Sequence, residues 1–199
     1  MKKPANLPVP LRGPRPFTRR AFAAGFTLVE LLVTIAISGV LLMVGIPSMA
    51  NMAASLELSS ATNVFVAGLY LARGEAIKRN KRVVLCKTAD AVFCTNDGGW
   101  EQGWILFQDS NNNGLRETTE EIIRRELPLP AKVKLMGNSN VASYVSFAPT
   151  GSTQLVTGGF QAGTLTVCRQ SLSAGDAREI VLNATGRPRV QKVSVPSCL

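Results

Sequence analysis

Gly25 to Pro47 reads GFTLVELLVTIAISGVLLMVGIP, and its apolar part, Phe26 to Ile46, holds 21 residues with Glu30 as the one charged side chain. As a helix, that run spans roughly 32 Å, about the hydrocarbon thickness of a bilayer. Six cations precede it, Lys2, Lys3, Arg12, Arg15, Arg19 and Arg20, with no acidic residue among them. The positive-inside tendency holds that end in the cytoplasm and sends the remainder across the membrane. A secretory signal peptide has a similar outline, but two details differ. The small-residue site, Ala23-Ala24-Gly25, precedes the apolar run instead of following it. Glu30 also lies inside the run, where a carboxylate costs about 2.5–3.5 kcal/mol or more unless something compensates it. A segment that is kept, and that finds a partner for Glu30, fits both details.

Beyond Pro47 the helical period continues without another proline until residue 80. Ala61, Phe65, Gly68, Ala72 and Ala76 recur at steps of three and four, alongside Met52, Leu56, Val64, Leu69 and Leu71. The basic run Lys78 to Arg82 suits a helix carboxyl end. One helix is therefore expected from about Phe26 to Asn80, apolar all round in its first half and amphipathic in its second. From Arg82 the period changes to two. The segments beginning at Val83, Trp104, Glu121, Lys132, Tyr144, Thr164, Glu179 and Arg189 read as strands, separated by turn signals such as Asp97-Gly98-Gly99. The expected architecture is α+β, a long helix on a mainly antiparallel sheet of about seven strands. Its expected parts are a leader (1–25), a transmembrane and assembly helix (26–47), an amphipathic helix (48–81) and a β-rich domain (82–199).

The formal charge of +9 suggests a nucleic-acid binder, yet six of those charges precede Gly25 and leave only +3 for the rest. Histidine is absent, which removes the usual general base and the commonest zinc ligand. No catalytic residue, cofactor or enzymatic activity is expected. The four cysteines, Cys86, Cys94, Cys168 and Cys198, form no CxxC pair. Downstream of a membrane-targeting segment they fit two disulfides in an oxidising compartment. Proximity along the chain favours Cys86–Cys94, with Cys168–Cys198 tethering the tail; spacing alone leaves the other connectivities open.

Three surface features carry possible chemistry. Between Ile180 and Leu199 there are three cations, Arg187, Arg189 and Lys192, and no anion. Gly186 and Pro188 would hold a turn there, from which arginines can fork onto phosphate oxygens; a hairpin with solvated charges is the plainer reading. A second basic patch comprises Arg73, Lys78, Arg79, Lys81, Arg82 and Lys87, opposed by Glu75, and reads as a solvated helix end or an extension of a phosphate surface. Asp109, Asn111, Asn113, Gly114 and Glu120 stand at positions 1, 3, 5, 6 and 12 of a calcium-loop pattern. Their flanks read as strands and Asn-Gly signals a turn, so a turn is preferred over a metal. Trp100 and Trp104 read as core.

Gly25-Phe26-Thr27-Leu28-Val29-Glu30 resembles the processing site of type IV pilins and type II secretion pseudopilins, and Pro47 matches the family's helix-kinking proline. The resemblance implies a pilin fold and cleavage after Gly25 by a prepilin peptidase, with N-methylation of Phe26. It also implies an inner-membrane anchor, a periplasmic domain and assembly with other pilin subunits, Glu30 neutralising a neighbour's terminal amine. GWEQGWILFQD followed by an Asn/Gly loop and a late Gly186-Arg187-Pro188-Arg189 resembles FimT/GspH-type minor pilins. Competence members of that group bind DNA through a GRxR motif, which implies double-stranded DNA as a partner and Gly186, Arg187 and Arg189 as its site, with Lys192 adding charge beside it. The rival implication is a structural subunit of a secretion pseudopilus.

Overall fold

The computed structural model describes residues 26–199, apart from the side chains of Val44, Pro47 and Ser48. Gly25 and the leader lie outside the described residues. Helix α1 covers Leu28–Arg79, 52 residues, and remains helical through Pro47. Its start is a capping box. Thr27 Oγ1 accepts the Glu30 N–H at 3.2 Å, while the Thr27 N–H donates back to Glu30 Oε2 at 3.3 Å. Its end is a Schellman turn, in which Asn80, at φ 50°, donates to Ile77 O and Lys81 donates to Ala76 O.

Contacts divide the chain into one unit ending at Gly45 and a second, Ile46–Leu199. In the first, the large apolar side chains from Phe26 to Met43 are exposed. Counted over the described residues, no helix is long and apolar enough to cross a membrane.

The second unit carries eight strands. They are β1 (Arg82–Lys87), β2 (Trp104–Asp109), β3 (Ile122–Glu126), β4 (Val133–Gly137), β5 (Tyr144–Phe147), β6 (Gly163–Arg169), β7 (Gly175–Leu182) and β8 (Pro188–Val195). They form two four-stranded sheets rather than the single sheet expected, in the orders β3-β2-β1-β5 and β4-β6-β7-β8. Every pairing is antiparallel. Periodicity marks strands but not their partners, and here β5 returns to β1 while β4 joins β6.

One stripe of α1 closes the core: Leu58, Ala61, Phe65, Leu69, Ala72 and Ala76 pack against Val83, Leu85, Leu135, Leu165 and Ile180. Phe65 is fully buried, with Trp100 and Trp104 edge-on at centroid distances of 5.1 and 5.0 Å. Met52 and Leu56, expected in that stripe, are exposed. The opposite face of β1 and β2, with Val84, Cys86, Ile105 and Phe107, is buried too, with Cys94, Ile122 and Tyr144 packed against it. That explains why β1 reads as a continuous apolar run. Disulfides join Cys86 to Cys94 and Cys168 to Cys198. The second holds the tail, where Ser171 and Cys198 exchange backbone hydrogen bonds.

Candidate nucleic-acid interface

The β7–β8 connection is a turn wedged into the fold. Gly186 is buried at φ 75°, and a Cβ there would stand 2.2 Å from Gly151 O. Only glycine combines that backbone with so close an approach. Asn183 organises the turn: its carbonyl accepts from Gly186 N at 3.0 Å, and its side-chain oxygen accepts from Thr185 Oγ1 at 2.7 Å and Arg187 N at 3.3 Å. Thr153, fully buried, anchors it from below. Its N–H donates to Ala184 O at 3.2 Å, and its hydroxyl lies 2.6 Å from Gln161 O and 2.9 Å from Asn183 O. Gln161 in turn ties Ser146, Asn140 and Tyr144 together. Thr153 and Asn183 thus position the turn, although neither carries a sequence signal beyond the general turn preference of Asn.

Arg187 and Arg189 leave this turn exposed, and among the described residues neither has a carboxylate in salt-bridge reach. Register separates them from Lys192. Arg189 pairs with Val181, whereas Lys192 pairs with Arg178. Residues an odd number apart on a strand point to opposite faces. Lys192 therefore shares the helix-side face with Arg178, whose guanidinium reaches Ser55 Oγ on α1 at 3.2 Å, and does not join the turn as expected.

Four of the six cations of the second basic patch, Lys78, Arg79, Arg82 and Lys87, have partners within the fold. Arg79 bridges Glu75 and Glu121, both at 2.6 Å, and Lys78 meets Glu75 at 3.6 Å. Arg82 is buried and donates to Asn112, Ser146 and Gln154. Lys87, also buried, donates to Asn96 O and Gly98 O. The Arg79 hydrogen bond holds the Glu75 carboxyl below its ordinary range.

The Asp109 loop turns its carboxylates inward on its own backbone. Asp109 accepts from Asn113 N at 3.2 Å and Gly114 N at 2.9 Å; Glu120 accepts from Ser110 N at 2.7 Å and Glu117 N at 3.1 Å. Burial raises the Glu120 pKa. Asn111 and Asn113 donate to Glu117. These bonds close the loop as a turn; among the described residues no group of three acidic, His or Cys side chains is gathered.

A family model described as Type II transport protein GspH matches residues 61–186, and the prokaryotic N-terminal methylation motif matches residues 20–46. Among solved structures the chain is similar to the Pseudomonas aeruginosa type IV minor pilin FimU. One crystal form aligns with a TM-score of 0.55 at 19% identity, covering 73% of this chain and 97% of that one. A second gives 0.50 at 18% identity, covering 71% and 100%. The Vibrio cholerae minor pseudopilin EpsH, from the type 2 secretion system, aligns at 0.47 and 13% identity, covering 68% and 96%. No curated protein matches. At such identities the FimU likeness speaks for the fold. The GspH match runs over more than half the chain, from Ala61 on the buried stripe of α1 to Gly186 in the turn, and the chain belongs to the GspH family of pilin-like type II transport proteins.

Proposed function

We propose that this chain is a minor pilin of the FimT kind. A prepilin peptidase cuts after Gly25 and Phe26 is N-methylated. The Phe26–Ile46 segment anchors the subunit in the inner membrane with its β-domain in the periplasm. Glu30 pairs with a neighbour's terminal amine as the subunit enters a pilus. There the β7–β8 turn binds double-stranded DNA for uptake in natural transformation.

The observation that carries the DNA reading is the wedged turn, which displays Arg187 and Arg189 exposed and unpaired. Binding through such groups is electrostatic and largely indifferent to sequence. The deciding experiment is a gel shift of residues 53–199, a fragment that keeps the whole core cluster, with double-stranded DNA over a range of salt. Two neutralised phosphates require a log–log slope of at least about −1.8. Replacing Arg187 and Arg189 together by Gln should remove most binding and change stability by no more than about 0.5 kcal/mol. If the parent shows no binding at low salt, the DNA reading fails. The family match, which fits it equally, then favours a pseudopilin H role in protein secretion.

A further inference from the structure

We infer that Arg73 of α1 is a third phosphate-binding cation of this interface, so that the nucleic acid lies across the turn at the free edge of β8, meeting Arg189 on one face of the sheet and Arg73 on the helix side. The inference rests on the DNA reading of the turn. Its starting point is one carbonyl. Gly151 O is the atom on which Gly186 is seated, and it also accepts a hydrogen bond from Arg73 Nε at 2.9 Å. Helix and turn therefore meet at a single backbone group.

The local geometry explains why Arg73 is held there. Gly151 adopts φ 77°, and a Cβ on it would lie 2.7 Å from Ile77 Cδ1 and 3.1 Å from Arg73 Nε. Arg73 and Ile77 are one helical turn apart and cover the Thr150–Ser152 loop together. A guanidinium has five donors, and this one commits Nε to the loop. Its Nη1 and Nη2 groups make no hydrogen bond to the described residues, and no carboxylate there lies within salt-bridge reach. Arg79 and Arg82, the other arginines of this basic run, are already spent on partners within the fold. Arg73 thus keeps a planar fork, with orientation fixed by its Nε bond and outer edge unsatisfied, which suits a phosphate.

The experiment uses the mature chain from Phe26 in non-ionic detergent, free of the six leader cations, alongside residues 53–199, with double-stranded DNA and a salt series. With three cations engaged, the parent slope is about −2.7, and Arg73→Gln lowers it to about −1.8 with an affinity loss on the order of tenfold at 0.1 M salt. Arg73→Lys restores the slope but not the full affinity, because the ammonium keeps the charge and lacks the fork. A residue that only braced the loop would change affinity equally at every salt concentration. An Arg73→Gln slope equal to the parent's, with Arg187→Gln/Arg189→Gln still abolishing binding, overturns the role of Arg73 and leaves the turn as the site. A parent that does not bind at low salt overturns both.

Discussion

Gly186→Ala tests whether the turn is a built site or a passive connection. The new methyl meets two obstacles. A left-handed backbone costs a non-glycine residue about 1–2 kcal/mol, and Gly186 sits at φ 75°. The Cβ would also stand 2.2 Å from Gly151 O, a backbone atom that cannot swing away. The turn must lift, which breaks or stretches the bonds from Thr153 to Ala184 O and Asn183 O. At about 0.5–1.5 kcal/mol for each of these two bonds, the total with the backbone share reaches about 2–5 kcal/mol. Gly158 supplies the control: it too has a positive φ, 94°, but nothing lies within 4 Å of its Cβ position. Gly158→Ala should therefore cost about 1–2 kcal/mol, the backbone share alone. Urea unfolding of residues 53–199 measures both, and a gel shift should show weakened DNA binding for Gly186→Ala only. If Gly186→Ala is no more costly than Gly158→Ala, the seat on Gly151 does not hold the turn.

Mass spectrometry of the membrane form should find the mature protein beginning at N-methylated Phe26. Glu30→Ala should leave cleavage and the β-domain intact but impair filament incorporation, and normal incorporation would remove the assembly role of Glu30. For the cysteines, peptide mapping of periplasmic protein should join Cys86 to Cys94 and Cys168 to Cys198, as in the structure. Replacing Cys168 and Cys198 by Ser should cost about 3–4 kcal/mol by loop entropy; unchanged stability would mean the tail is held without the bridge. Glu75 gives a pH test. Its pKa is lowered from 4.5, chiefly by the Arg79 hydrogen bond, so its stabilisation is full above 4.5 and is lost as pH falls. Glu75→Gln should flatten that part of the acid-side loss in urea midpoint, and an unaltered pH profile would assign the loss elsewhere.

The helix and strands were legible because each follows from a period, and the N-terminal methylation motif because its residues sit at fixed offsets. What escaped the sequence depends on pairing across distance. Arg82 and Lys87 look like members of a surface patch until Gln154 and Asn96 close over them, and nothing near either lysine or arginine announces those partners. One misplacement was within reach of the sequence. Arg189 and Lys192 are three residues apart, and on a strand that offset alone puts them on opposite faces. The strand expected from Arg189 already contains both residues, and the observed strand from Pro188 keeps that offset. The Thr27 cap was not among the expected features, although Thr-x-x-Glu before an apolar run is a capping signature. Glu30 consequently has two demands on it. Within one chain its carboxylate accepts from the Thr27 N–H; in a filament it would have to face a neighbour's amine. A carboxylate has acceptor sites for both, so the cap can orient Glu30 before a partner arrives. On the proposed assembly role, the capping box would be part of that device instead of a rival explanation for the acid.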